Sequence, residues 1–481
     1  MAGMMDPATQ LDESTALLVW DESTNQVLDE STGLALDVTV LDPTELDTES
    51  ASWPSTMLNL TNTVVGAGIV ALPFAYASMG ILLGSAMVLA VAFLASYSLR
   101  LLVRTSSSYG YISFEELGEA CWGPKGRIAV QSAMLVLLVG SLIAYLVIIG
   151  EAITPIARRI LNLGESPDVW YGQTWFLLAC HTLVVIAPLV LIRRIDTLKY
   201  SSFVSLTSVA LLVVFVIVRF FTIDPNSIEH SSSSLSSPPP PPPSSTSPAL
   251  SQSRWHNLGH GVGGNRFSSF FIAVPIVCFV FTSHPNVLLL YYQLKERTPR
   301  KMGSIINASV VVSTCLYATI GIFGYLTFGH DTDGNILSNY DPRGDVFADV
   351  CRVAMVIAIS LSFPLLSYPC LSCLDVLLVP SGFGLRTPKS RWYAEAICLV
   401  LGTLGLAIAV PSIVVVFSLT GASAAVCICF VLPGLFFLKL SDRSRIKSDM
   451  IAILILISFG VVFGVVATVV IVVDLIRHGI D

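Results

Sequence analysis

Apolar residues in this chain come in long blocks, not in the three- or four-residue rhythm of a half-buried helix or the alternation of a strand. A membrane-spanning helix needs about 20 consecutive apolar residues to cross the hydrocarbon core. Eleven runs reach that length, near residues 55 to 78, 81 to 103, 128 to 150, 172 to 192, 199 to 221, 268 to 293, 303 to 328, 347 to 374, 391 to 410, 412 to 438 and 450 to 473. Each predicts a helix that spans a bilayer.

Two of these runs are interrupted. The first contains NTVVGAGIVALP, Asn62 to Pro73, and the sixth reads AVPIVCFVFTSHPNVLLLYYQ. Glycine in a helix interior costs about 1 kcal/mol relative to alanine, and proline removes a backbone donor and clashes with the preceding turn. A histidine, a proline and an asparagine in mid-span are costly in hydrocarbon and are tolerated where they face protein or water. Runs one to five and runs six to ten each cover about 170 residues, so the interrupted runs open two comparable halves. Five is odd, so the halves cross the membrane in opposite directions. Paired discontinuous helices in such an inverted repeat mark a substrate site near the midplane. Unwinding frees amide N–H groups, which with the positive end of a half-helix suit a carboxylate, and C=O groups, which suit a cation or an ammonium. An amino-acid zwitterion needs both. The glycines alone would equally fit a helix-packing face; the matching break in the second half favours a site. A nucleotide-binding glycine loop is not expected, because no lysine follows.

Composition agrees with a membrane chain: 54% hydrophobic and 12% charged residues, against roughly 25% charged in soluble domains, with a mean hydropathy of +0.76. The net charge of -7 says little about partners, because acid is concentrated in the first 50 residues; nucleic acid is not expected. Of 26 lysines and arginines, 18 fall in alternate connections between runs, which places the N-terminus in the cytoplasm and the C-terminus outside or in a lumen. Residues 1 to 50 lack the basic flank and apolar core of a signal peptide, so the first span is expected to do the targeting. The ten cysteines, Cys180, Cys278, Cys315, Cys398, Cys427 and Cys429 among them, mostly lie in apolar runs without zinc-site spacing, and read as small buried hydrophobes.

The chain divides into an acidic, disordered cytoplasmic tail (1-52), a first repeat (53-222), a Ser/Pro-rich outer or lumenal loop (223-267), a second repeat (268-440), and a last span with the C-terminus (441-481). DEST recurs in the tail at residues 12, 21 and 29. Glu13, Leu17 and Leu18 fit an acidic dileucine pattern, which resembles a sorting signal for endosomes and lysosomes or vacuoles. Between runs two and three, ISFEELGEACWGPKGR reads as an interfacial helix. Two ionisable residues are candidates for proton coupling: His284 beside the second break and Glu151 near the outer end of the third run. For Glu151 the plainer reading is an interfacial acid neutralised by Arg158, two turns on.

NLTNTVVGAGIVALPFAYASMG, FTSHPNVLLLYYQLKERTPRKM, FGYLTFG and GASAAVCICFVLPGLFFLKL, in that order, resemble the sodium-coupled neutral amino-acid transporters of the amino acid/auxin permease superfamily. The resemblance covers about 55 to 473. It implies an all-α polytopic membrane protein of about 11 transmembrane helices, with a LeuT-like 5+5 inverted repeat plus one. It also implies cation-coupled alternating access for a small neutral amino acid of the glutamine or alanine class. By resemblance Asn62 helps hold sodium, with backbone carbonyls near Val65 and a hydroxyl of AISLSFPLLSYP, hence Ser360 or Ser362. The substrate would meet Val65, Gly66, Ala67 and Gly68, then Thr282, Ser283 and His284, with Phe279 in the side-chain pocket. Where the family often has an arginine after Pro369, this chain has Cys370-Leu371, and Ser283-His284-Pro285 stands for cysteine-histidine-proline. These departures leave Na+ and H+ both open as the coupling ion. No cofactor, no metal other than Na+, no enzymatic activity and a monomer in the lipid bilayer are expected, in a plasma or a vacuolar/lysosomal membrane. The alternative is an amino-acid sensor signalling through the DEST tail.

Overall fold

The computed structural model describes residues 18–21, 26–29, 35–36, 51–163, 169–192, 201–222, 266–340, 345–378, 389–410, 412–441 and 443–478. Among the described residues, ten helices are long and apolar enough to cross a membrane, and a bent pair adds an eleventh span. Each lies where an apolar run predicts it. Span 1 is the bent one: Trp53–Val65 and Ala67–Met79 meet at 43°. Spans 2 to 5 are Ile81–Tyr109, Pro124–Ile160, Thr174–Leu191 and Ser202–Thr222. Span 6 is Ser268–Gln293, interrupted between Val280 and His284. Spans 7 to 11 are Pro299–Asp331, Val346–Leu378, Ser390–Ala409, Ile413–Leu440 and Asp449–Arg477. The membrane part is therefore all-helical and polytopic, with broken helices opening both five-span halves.

Packing sorts the spans. Span 3 lies against spans 8, 9 and 10; span 7 lies along both halves of span 1 and against spans 2 and 5; span 6 packs on the second half of span 1 and on spans 10 and 11. Spans 3, 6 and 10 are largely buried, whereas spans 4 and 11 are largely exposed. Cys180, Cys315 and Cys398 point outward, which corrects their reading as buried. In lipid the outer surface is as apolar as the interior, so hydropathy alone does not separate the two.

Ends and connections carry the polar fastenings. Helix Phe114–Trp122 forms where the interfacial segment is predicted, and its capping box pairs Ser113 with Glu116. Its Phe114 is buried edge-on to Phe436 of span 10. At the chain's entry to span 1, Ala51 pairs with Leu294, and the Trp53 indole donates to the Ser304 hydroxyl (2.9 Å). At the other membrane face the connection between spans 7 and 8 is held by Arg352. This fully buried guanidinium donates to the carbonyls of Leu337 (2.9 Å) and Tyr340 (2.8 Å) and pairs with Asp349 (2.8 Å).

Three short strands, Leu18–Asp21, Gln26–Asp29 and Ala35–Leu36, form an antiparallel meander in the tail. In the sequence the DEST repeats alternate with these short apolar segments, a spacing compatible with hairpins. Leu18 opens the first strand, while Glu13 and Leu17 of the sorting-signal pattern lie outside the described residues, as does the 223–265 part of the Ser/Pro-rich loop.

Candidate functional site

The break in span 1 begins where the helix stops at Val65. The Gly66 amide still donates to the Asn62 carbonyl (3.3 Å), but Gly66 itself sits at φ 3°, ψ -172°. Ala67 to Ala71 then continue as a tighter 3-10 turn before Leu72–Met79 resumes the α-helix, with Pro73 in its first turn. Proline suits that position, where its missing N–H would have no partner. The kink thus has a local cause in the order Gly, Ala, Gly, then Pro.

A narrow, partly open cleft, with room inside it for about one water molecule, lies at this break. It is lined by Gly66 and Ala67 of span 1, Tyr145 of span 3, Ser205 and Val209 of span 5, and Met355, Ala358, Ile359 and Ser362 of span 8. Three hydroxyl-bearing residues line it, Tyr145, Ser205 and Ser362, and none of their hydroxyls makes a hydrogen bond to another described residue. The Cβ position of Gly66 is 3.9 Å from the Tyr145 hydroxyl. No carboxylate, imidazole, amine or guanidinium lines the space. Its chemistry is hydroxyl and backbone oxygen, amide N–H, and an apolar wall. Hydroxyl and carbonyl oxygens suit a hard cation, and N–H or O–H donors suit a carboxylate.

The residues singled out from the sequence separate at this site. Gly66, Ala67 and Ser362 line the cleft; Val65 is buried at its edge. Asn62 lies one turn before Gly66, and no hydrogen bond of its side-chain amide to a described residue is found. Ser360 turns away to the His181 imidazole of span 4 (2.9 Å). Residues two apart on a helix point about 200° from each other, so Ser360 and Ser362 cannot serve one ion together. Gly68 faces span 6: a Cβ there would stand 2.7 Å from Val280 Cγ1. It is a packing glycine that brings the two breaks together.

The second break is closed. Val280 ends one half of span 6 and His284 begins the next. The Thr282 hydroxyl donates to the Cys278 carbonyl (3.2 Å) and accepts from the Cys429 thiol (3.3 Å). Ser283 and His284 are fully buried. The Ser98 hydroxyl donates to the Cys429 carbonyl, so its contact with His284 Nε2 (3.2 Å) is one in which the ring N–H donates. Ser283 Oγ and His284 Nδ1 have no hydrogen-bond partner among the described residues. Phe279 packs against Phe417 of span 10, with centroids 4.7 Å apart and the rings tilted by 37°. Phe279, Thr282, Ser283 and His284 all lie outside the lining of the cleft.

Glu151 accepts a hydrogen bond from the Asn335 amide (2.8 Å) in the connection between spans 7 and 8, and Arg158 donates instead to the Gly172 carbonyl (2.8 Å). The expected pairing of Glu151 with Arg158 is thus replaced. Arg158 lies in the last turn of its helix, where Gly172 of the following connection reaches its guanidinium. Sequence reasoning missed Tyr145 and Ser205. Tyr145 carries the one aromatic hydroxyl in SLIAYLVIIG, a usable signal; nothing marks Ser205 among the other serines of span 5.

A family model described as transmembrane amino acid transporter protein matches residues 49–477. The human sodium-coupled neutral amino acid transporter 4 is 29% identical over 88% of this chain and 85% of its own length. Amino acid transporter AVT6A of Arabidopsis thaliana is 31% identical over 85% of each chain. Among solved structures, the inward-facing conformation of Mhp1 matches with a TM-score of 0.57 at 11% identity, covering 92% of this chain and 94% of its own. That likeness shows the fold, which is the LeuT-like one.

Proposed function

The chain belongs to the family of transmembrane amino acid transporter proteins, and from that membership we propose that it carries a small neutral amino acid by cation-coupled alternating access. The observation that carries this reading is the cleft where the Gly66 break meets three hydroxyl-bearing residues, Tyr145, Ser205 and Ser362, whose hydroxyls have no hydrogen-bond partner among the described residues. The substrate carboxylate would take N–H groups at Gly66 and Ala67 and the Tyr145 hydroxyl. Its ammonium would take carbonyls released at the breaks, and its side chain would lie toward Val209, Met355 and Ile359.

Sodium is the cation the lining favours. The oxygens of Ser205 and Ser362, backbone carbonyls at Val65 and the Asn62 side chain form an uncharged set suited to a hard cation, whereas a proton needs a titratable group. The two titratable candidates stand elsewhere: His284 is sealed behind the second break, and Glu151 is bound to Asn335. By the positive-inside pattern the N-terminus is cytoplasmic and the connection between spans 7 and 8 faces outside or a lumen.

One observation supports a second reading, an amino-acid sensor. The tail enters span 1 through Ala51, which is bonded to the end of span 6. A ligand that moved either broken helix would pull on the tail. Uptake of labelled neutral amino acids into proteoliposomes separates the two readings: concentrative uptake supports the carrier, and saturable binding without flux supports the sensor.

A further inference from the structure

In an unbroken helix the Val64 carbonyl would receive the N–H of Gly68, and the Val280 carbonyl that of His284. Both pairings fall across a break. The Tyr317 hydroxyl of span 7 stands at both carbonyls, 2.6 Å from the Val64 oxygen and 2.8 Å from the Val280 oxygen. It is fully buried, and its ring is fixed edge-on to Phe281 (5.1 Å, 82°). Two turns earlier the Ser309 hydroxyl donates to the Met57 carbonyl (3.1 Å), and one turn later Gly321 receives the Tyr76 ring. One face of span 7 therefore runs along both halves of span 1, with Tyr317 at the bend.

A phenol has one hydrogen to donate, and each carbonyl has two lone pairs. Two acceptors sharing one donor keep acceptor capacity in reserve, in a place where water does not compete. We infer that Tyr317 is a positioning residue for the substrate's ammonium group: its hydroxyl holds the Val64 and Val280 carbonyls together, so that their remaining lone pairs converge on one N–H-bearing ligand. The inference rests on the amino-acid reading of the preceding subsection. It adds a requirement that a packing role does not carry, namely selectivity for a nitrogen that can donate to two acceptors at once.

The test is uptake by the full chain in proteoliposomes, wild type against Y317F, with a primary neutral amino acid as substrate and its N,N-dimethyl analogue as competitor. The analogue keeps one N–H. Loss of the hydroxyl is expected to raise the half-saturating concentration of the amino acid about tenfold. The maximal rate should change by less than about twofold and the analogue's inhibition constant by less than about twofold. Preference for the primary amine then largely disappears. An unchanged half-saturating concentration, an equal shift for both ligands, or a fall in maximal rate alone would overturn the inference. Should Y317F fail to fold, 3-fluorotyrosine at position 317 keeps the shape and donates more strongly. A lower half-saturating concentration for the primary amine supports the inference, and no change overturns it. Absence of uptake and binding in the wild type would instead remove the amino-acid reading itself.

Discussion

The two breaks occupy equivalent places in an inverted repeat, and they differ in what surrounds them. At Gly66 the chain opens onto a cleft lined by three residues whose hydroxyls make no hydrogen bond to another described residue. At Ser283 the polar groups are turned into protein: Thr282 and His284 are hydrogen-bonded to spans 10 and 2, and Ser283 is buried without a partner. Breaking a helix releases backbone groups, but neighbouring spans decide which side chains stand beside them. Here spans 3, 5 and 8 leave hydroxyl-bearing side chains on the open side of the first break, and spans 2 and 10 take up the side chains of the second.

The comparison is broken most forcefully at Gly66. Gly66→Leu puts a branched side chain into the cleft beside Tyr145, and uptake should fall below about 1% of wild type with membrane insertion intact. Normal transport by this variant, measured in proteoliposomes, would return the glycine to a packing role. The next largest effects belong to Ser362→Ala and Tyr145→Phe. Each removes one hydroxyl that would contact a charged ligand, a loss of about tenfold in the relevant affinity. For Ser362→Ala the loss should appear in cation activation, and for Tyr145→Phe in the amino-acid half-saturation. A smaller change is expected of Ser360→Ala, whose partner is His181. Uptake should stay within about threefold, since a net hydrogen bond contributes about 1 kcal/mol. Smallest is Ser283→Ala. Removing a buried, unpartnered hydroxyl should leave transport unchanged and hold or raise the melting temperature. If it impairs uptake as strongly as Ser362→Ala, the two breaks are functionally alike and the contrast drawn between them fails.

Most of the fold was legible in the sequence for one physical reason. Lipid requires about 20 apolar residues per crossing, and departures from that rule stand out as strongly as GAG and TSHP do here. The repeat followed from their spacing. The site was legible only along span 1. Gly66 and Ala67 mark themselves by poor helix propensity, but which serine of span 8 joins them is a question of helical phase, and Ser360 and Ser362 are equal on paper. Tyr145 and Ser205 come from spans whose neighbours no local pattern reveals. The outward-facing Cys180, Cys315 and Cys398 show the same limit, since lipid and protein interior ask for the same residues. His284 shows a related limit: a histidine at a break invites a coupling role from the sequence alone, and its burial as a donor to Ser98, outside the cleft lining, is read only from the packing.

The central claim is that an uncharged oxygen set at the first break couples transport to sodium. The most direct measurement is proteoliposome uptake with sodium replaced by choline at two pH values, in wild type and Ser362→Ala. The prediction is at least about tenfold less wild-type uptake without sodium at either pH. In Ser362→Ala the sodium concentration for half-activation should rise about tenfold. Uptake that survives in choline and increases on acidification would contradict the claim and return the coupling role to a titratable residue.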